Sequence, residues 1–244
     1  MNQLRKVGKL CAQTHDHLTK LIRPGITTLE LDTEAEIFIR TNGALPSFKG
    51  YRGYTNTICS AVNNQVVHIK PNDYALKDGD IVTIDLGAYM NGFHGDTAKT
   101  HMIGNVHPDI QAFVHHGYLA LYDGIEKAVD GNYVQDISNA IAKSVRQHGY
   151  GIVHEFVGHG IGRNIHEDPQ IGNTEMTEKG AKLTNGMVIC IEPILTLNPS
   201  GKIKILDQWN VVTEDGCMAC HHEHVVAITP SGPEILTLRE EEYK

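Results

Sequence analysis

The chain has 244 residues, with 41% hydrophobic and 20% charged positions. This globular balance excludes a disordered, collagenous or coiled-coil protein, and the length suits one large domain or two small ones. The net charge of −8 argues against non-specific binding to nucleic acid or an anionic membrane as the main task.

The first elements read as helices. Leu4, Val7, Cys11, Leu18 and Leu21 recur at helical spacing, and Pro24-Gly25 ends the run. A second helix follows Thr27, with Glu30 completing a capping box, and stops near Asn42-Gly43. Strand-like runs cover 57–62, 65–69, 81–90 and 93–102. Pro108 suits the first turn of a helix reaching about Val129, with Gly131 beyond its end. Asn132 is the expected cap of a further helix with Val134, Ile137, Ile141 and Val145 on one face. Strands are then expected at 187–195, 209–213 and 218–228. The pattern predicts a single α+β domain over residues 1–244 with a mixed, mainly antiparallel sheet.

No export or membrane segment is expected. Arg5, Lys6 and Lys9 are not followed by an apolar stretch, and the run 187–195 is interrupted by Glu192 and too short to span a bilayer. Five cysteines (Cys11, Cys59, Cys190, Cys217 and Cys220) without an export signal read as reduced thiols of a cytoplasmic protein. Fifteen histidines are the compositional outlier, and histidine is both a common metal ligand and a proton carrier near neutral pH.

One internal echo stands out. Gly79 to Asp85 and Gly186 to Glu192 both read Gly-x-apolar-apolar-x-Ile-acid. A duplicated half would leave such a trace, with a carboxylate at the equivalent place.

Asn91-Gly92 is a strong signal for a two-residue type I′ hairpin turn. That turn sets Met90 opposite Phe93 and Gly87 opposite Asp96. Asp85 then shares a face with Asp96 as its diagonal neighbour, about 7 Å away between backbones. Two like charges so placed need a positive partner unless one of them is exposed. In the second half, His159 sits in Gly158-His159-Gly160-Ile161-Gly162, Glu192 lies among apolar residues, and Glu223 precedes an apolar run. Four carboxylates and an imidazole suit two divalent ions bridged by oxygen ligands.

These residues are similar to those of the type I methionine aminopeptidases, over about residues 4–238. The carrying motifs are Asp78-Gly79-Asp80-Ile81-Val82 before Asp85, Gly92-Phe93-His94-Gly95-Asp96-Thr97, Gly158 to Arg163 through His166-Glu167, and Glu192-Pro193. The resemblance implies the pita-bread fold, two related halves around a dinuclear centre of Co, Mn, Fe or Zn. It implies that Asp85 chelates one ion, that Asp96 and Glu223 bridge both, and that His159 and Glu192 complete the ligand set of the other ion. Glu192 would also act as general base, and the free amine of the first residue would bind a metal. His68 and His166 would hold the first peptide unit and stabilise the oxyanion, while Tyr51, Tyr54, Cys59 and Trp209 would line the first side-chain pocket. The implied activity is removal of the initiator methionine from peptides and nascent chains, with a small second residue preferred. It implies a monomer in the cytoplasm, with no nucleic-acid or membrane role; a ribosome contact is left open.

The family's usual His-Gly-Ile-Pro reads His68-Ile69-Lys70-Pro71 here, Ile165 replaces an aromatic, and His222 stands where a smaller or amide side chain is usual. Prolidases and aminopeptidase P would share the five ligands but carry a large N-terminal domain and different histidine surroundings. A binding module derived from the same fold would be expected to lose ligands. Cys217-Met218-Ala219-Cys220-His221 matches a haem-attachment string, a redox dithiol or half of a zinc site. An incidental strand sequence is the simpler reading.

Overall fold

A computed structural model describes residues 1–243. Helix α1 spans Asn2–Thr19 and buries Leu4, Val7, Cys11 and Leu18, ending two residues before Leu21. Helix α2 spans Thr28–Thr41. Its capping box is formed as expected: Thr27 Oγ1 accepts from the Glu30 amide at 3.1 Å, and the Glu30 carboxylate accepts from the Thr27 amide at 2.7 Å. Strands β1 (Leu45–Pro46), β2 (Ile58–Val62), β3 (Ile81–Met90) and β4 (Phe93–Met102) form the first sheet. Both helices pack on it through Val7, Leu18, Leu31 and Ile39 against Ile58, Ile84 and Leu86.

The expected strand at 65–69 does not form. The Val66 amide bonds the Val211 carbonyl at 2.8 Å, and His68 takes a left-handed φ of 63°, which extended backbone cannot include.

Helix α3 covers Pro108–Ile125, stopping short of Val129, and α4 covers Val134–Arg146. Asn132 is not the cap of α4. Its side chain bonds the Lys127 carbonyl, while the Asp136 carboxylate accepts from the Tyr133 amide at 2.8 Å. The apolar stripe of α4 is as expected, and each fully buried isoleucine such as Ile137 or Ile141 contributes about 1.5–3 kcal/mol.

The second half continues with β5 (Gly151–Ile152), β6 (Gly158–Gly160), β7 (Glu167–Ile171), β8 (Val188–Ile191), β9 (Ile194–Thr196), β10 (Ile203–Ile205), β11 (Val211–Thr213), β12 (Ala219–His221), β13 (His224–Thr229) and β14 (Gly232–Ile235). Two expected long strands are each split. The run 187–195 breaks at Glu192-Pro193 into β8 and β9, and 218–228 breaks at His222-Glu223 into β12 and β13. The breaks lie side by side: β8 pairs with β13, β9 pairs with β12, and the His222 amide reaches the Pro193 carbonyl at 3.4 Å. Pro193 cannot donate to a ladder, so the pairing changes sheets there. Both candidate carboxylates thus sit where two sheets part.

Helices α3 and α4 cover the second half as α1 and α2 cover the first, with Phe113, Leu121 and Ile141 packed against Ile189, Ile191 and Val226. Every strand pair among the described residues is antiparallel, so the expected parallel admixture is missing. No helix among them is long and apolar enough to cross a membrane.

Candidate metal centre

The β3–β4 register places Met90 opposite Phe93 and Gly87 opposite Asp96, so the turn at Asn91-Gly92 sets the carboxylate pair as expected. Asn91 and Gly92 both have positive φ, 53° and 84°, as a type I′ turn requires. Across the cleft, His159 is delivered by β6. A Cβ on Gly158 would meet the Cys190 carbonyl at 2.2 Å, and one on Gly160 would meet the Asp168 carbonyl at 2.2 Å. Only glycine lets this strand come so close. His159 Nδ1 donates to the Gly160 carbonyl at 2.9 Å, which leaves Nε2 free, 3.5 Å from Glu192 Oε1.

One cavity of about 710 Å³ gathers Asp85, Asp96, His159, Glu192 and Glu223 with His68, His166, Tyr51, Tyr54, Cys59 and Trp209. The carboxylates are costly as a metal-free group. Burial lifts Asp85 to about 7. Burial, then Glu223 and Asp85, hold Asp96 well above the carboxylate range. Burial, then Asp96 and Asp85, do the same for Glu192, and burial, then Glu192 and Asp85, for Glu223. Asp85 Oδ1, Asp96 Oδ1 and Glu223 Oε1 have no hydrogen-bond partner in the protein. Orphaned buried oxygens around a shared space are what a cation would satisfy. Four negative charges match two divalent ions. His159 is pushed down to about 4, chiefly by burial, so it presents a neutral nitrogen suited to a metal. The residues therefore fit a divalent centre.

The sequence pattern of metallopeptidase family M24 matches residues 2–230. A methionine aminopeptidase of Clostridium perfringens is 48% identical, over 96% of this chain and 94% of its own length. Methionine aminopeptidase 1 of Bacillus subtilis is 44% identical over 96% and 94%. The crystal structure of methionine aminopeptidase from Rickettsia prowazekii superposes with a TM-score of 0.94 at 35% identity, covering 97% of this chain and 96% of that one.

The chain belongs to metallopeptidase family M24. It is a metal-dependent hydrolase of the methionine aminopeptidase group, with their α+β pita-bread fold.

Beside the carboxylate cluster lie the histidines and aromatic residues to which the resemblance gives substrate roles. His166 Nδ1 and Tyr51 Oη are 2.9 Å apart, and the His166 ring meets that of His159 edge-on at 4.3 Å. His68 packs edge-on against Phe156 at 5.2 Å and is pushed down to about 4 by burial and, secondarily, by His166. Tyr54 and Trp209 meet edge-on at 5.0 Å, and Lys70 lies over both rings. Thus the Lys70 departure sits beside the aromatic pair, and Ile165 is a buried part of the cavity wall.

The sequence reading missed several neighbours. His221 lines the cavity with Nε2 unpartnered, 3.9 Å from Glu192 Oε2. His222, its successor, points the other way, under Gly117 and Tyr118 of α3. Alternation along β12 likewise sends Cys220 into the core and His221 to the cavity, so the Cys-x-x-Cys-His string runs from a loop at Cys217 into β12, with both thiols free. The period-2 rule could have flagged His221. Phe156, which packs on His68 from a distant loop, had no local signal.

Proposed function

We propose that this M24 enzyme removes the N-terminal methionine of peptides and nascent proteins and prefers a small second residue. The observation that carries it is the joining of the five-residue donor set to His68, His166 and an aromatic, thiol-lined pocket in one cavity. Tyr54, Trp209 and Cys59 offer the soft, apolar wall that suits a thioether.

Asp85, Asp96, His159, Glu192 and Glu223 would hold two divalent ions, of Co, Mn, Fe or Zn type. Such ions supply Lewis-acid polarisation of the scissile carbonyl and a stronger nucleophile from water. Glu192 takes the proton of the attacking water and passes it toward the leaving amine. His68 donates near the leaving nitrogen. His166, its Nδ1 side engaged by Tyr51, has Nε2 left to donate to the developing oxyanion. The reading covers residues 1–244 as one catalytic domain, acting as a monomer in the cytoplasm on peptide and nascent-chain N-termini. Ribosome contact is a matter for a pelleting assay.

The test is methionine release from Met-Ala-Ser and Met-Lys-Ser peptides by metal-loaded protein, with a chelated sample as blank. Release from the first, much faster than from the second, is expected. No release rejects the activity, and equal rates reject the size preference. Cleavage of Xaa-Pro dipeptides instead would favour the prolidase reading.

A further inference from the structure

We infer that Cys190 is a sixth donor of the metal centre, a thiol that ligates a thiophilic ion alongside Asp96, His159 and Glu223. The inference rests on the metal-centre reading above and extends it to a residue outside the five-ligand set.

The strand supplies the geometry. Alternation along β8 puts Ile189 and Ile191 into the core under α3 and α4, and Val188 and Cys190 on the opposite face. Glu192 follows Cys190 by two residues. One donor atom each from Asp96, His159, Cys190 and Glu223 lie within 4.8 Å of one another. That spacing lets a single ion touch all four. Cys190 is fully buried. Asp96 Oδ1 and Glu223 Oε1 in the same cluster are buried and unpartnered, so the group has unsatisfied donor capacity beyond the sulfur.

The internal echo sharpens the point. Cys190 occupies the place that Thr83 holds in the first half, two residues before Asp85. Thr83 is committed, its hydroxyl 2.7 Å from that of Thr100. The first half thus closes this position with a hydroxyl pair, whereas the second half sets a sulfur within reach of Asp96, His159 and Glu223, in the apolar cluster of Val188, Val225 and Leu236.

Sulfur changes which metal the centre favours. Carboxylates alone suit hard ions such as Mn²⁺, and a thiolate adds preference for Zn²⁺, Co²⁺ or Cd²⁺. On ligation the S–H proton leaves to solvent and the sulfur lone pair forms the metal–sulfur bond; no oxidant or reductant is needed. Cys11 is also buried near the centre but lies outside the four-donor group, so it serves as the control.

The experiment loads the metal-free full chain with Co²⁺ and records its near-ultraviolet spectrum, with bound cobalt measured in the same sample. A thiolate-to-cobalt charge-transfer band is expected in the native chain and in Cys11→Ser, and its loss is expected in Cys190→Ser. A cobalt-loaded native chain without the band, or a band that survives in Cys190→Ser, overturns the inference. Cys190→Thr, which mimics the first half, provides a second variant should serine fold poorly. Titrations with Cd²⁺ and Mn²⁺ give an independent readout: the variant should weaken Cd²⁺ by roughly tenfold or more relative to Mn²⁺. Equal weakening of both would mark a packing role and overturn it. Failure of the native chain to bind any metal would reject the proposed function itself, whereas metal bound without the band rejects only the role of Cys190.

Discussion

Arg239 Nη1 donates to Thr97 Oγ1 at 3.1 Å, and Thr97 Oγ1 donates in turn to the Glu223 carbonyl at 2.8 Å. Arg239 is almost wholly buried and also bonds the Ala98 carbonyl, His224 Nε2 and the Glu242 carboxylate. The Glu223 amide bonds that same Ala98 carbonyl at 2.9 Å. The C-terminal segment therefore ties the backbone beside Asp96 to the backbone of Glu223.

Replacing Arg239 with Leu is expected to destabilise the chain by about 3–5 kcal/mol, because Glu242 is left as a buried, partly unpaired charge. Denaturant unfolding of the two proteins measures this. A loss under about 1 kcal/mol would show that Glu242 swings to solvent and that the tie is weak.

Asp96→Ala and Glu223→Ala should each reduce the bound metal from two ions per chain, since each carboxylate is assigned to both ions. Metal analysis after gel filtration decides. Two ions with retained hydrolysis in either variant would end the bridging assignment.

His166→Ala should lower turnover by about a hundred- to a thousandfold, the usual ~3–4 kcal/mol cost of losing one oxyanion donor. Metal affinity should hold. His159→Ala should instead lose metal, because it removes a proposed ligand. If excess metal rescues His166→Ala, the division of roles is wrong.

Removing metal should matter more at higher pH. In the metal-free protein Asp85 lies at about 7 against an ordinary 3.8, raised chiefly by burial. A raised folded-state value means that this contribution to stability is complete below the unfolded value and disappears as pH rises through about 7. Asp96, Glu192 and Glu223 are shifted the same way. Divalent ions offset both the burial penalty and the repulsion among the carboxylates. The rise in melting temperature on adding metal should therefore be larger at pH 8 than at pH 5. Equal shifts at the two pH values would contradict the charge argument.

Much of this site was legible in the sequence because its signals are local. A two-residue turn at Asn91-Gly92 dictates the hairpin register, and the register alone puts Asp85 and Asp96 on one face. The glycines around His159 announce a close backbone approach, and the repeated Gly-x-apolar-apolar-x-Ile-acid strand announces two halves. The motifs then pointed to the family, and the cavity gathers every side chain so named. Tertiary structure alone decided where the long apolar runs break, at Glu192-Pro193 and His222-Glu223, since an apolar run reads the same whether it stays in one sheet or changes sheets. It also decided that 65–69 is no strand and that Phe156 packs edge-on against His68. Likewise Arg239 reaches back to Thr97, and Cys190 shares its space with Asp96, His159 and Glu223. Each of these contacts joins segments far apart in the chain, and turn chemistry and periodicity act only between near neighbours. What lies across a core is set by how whole sheets and helices bury their apolar faces together.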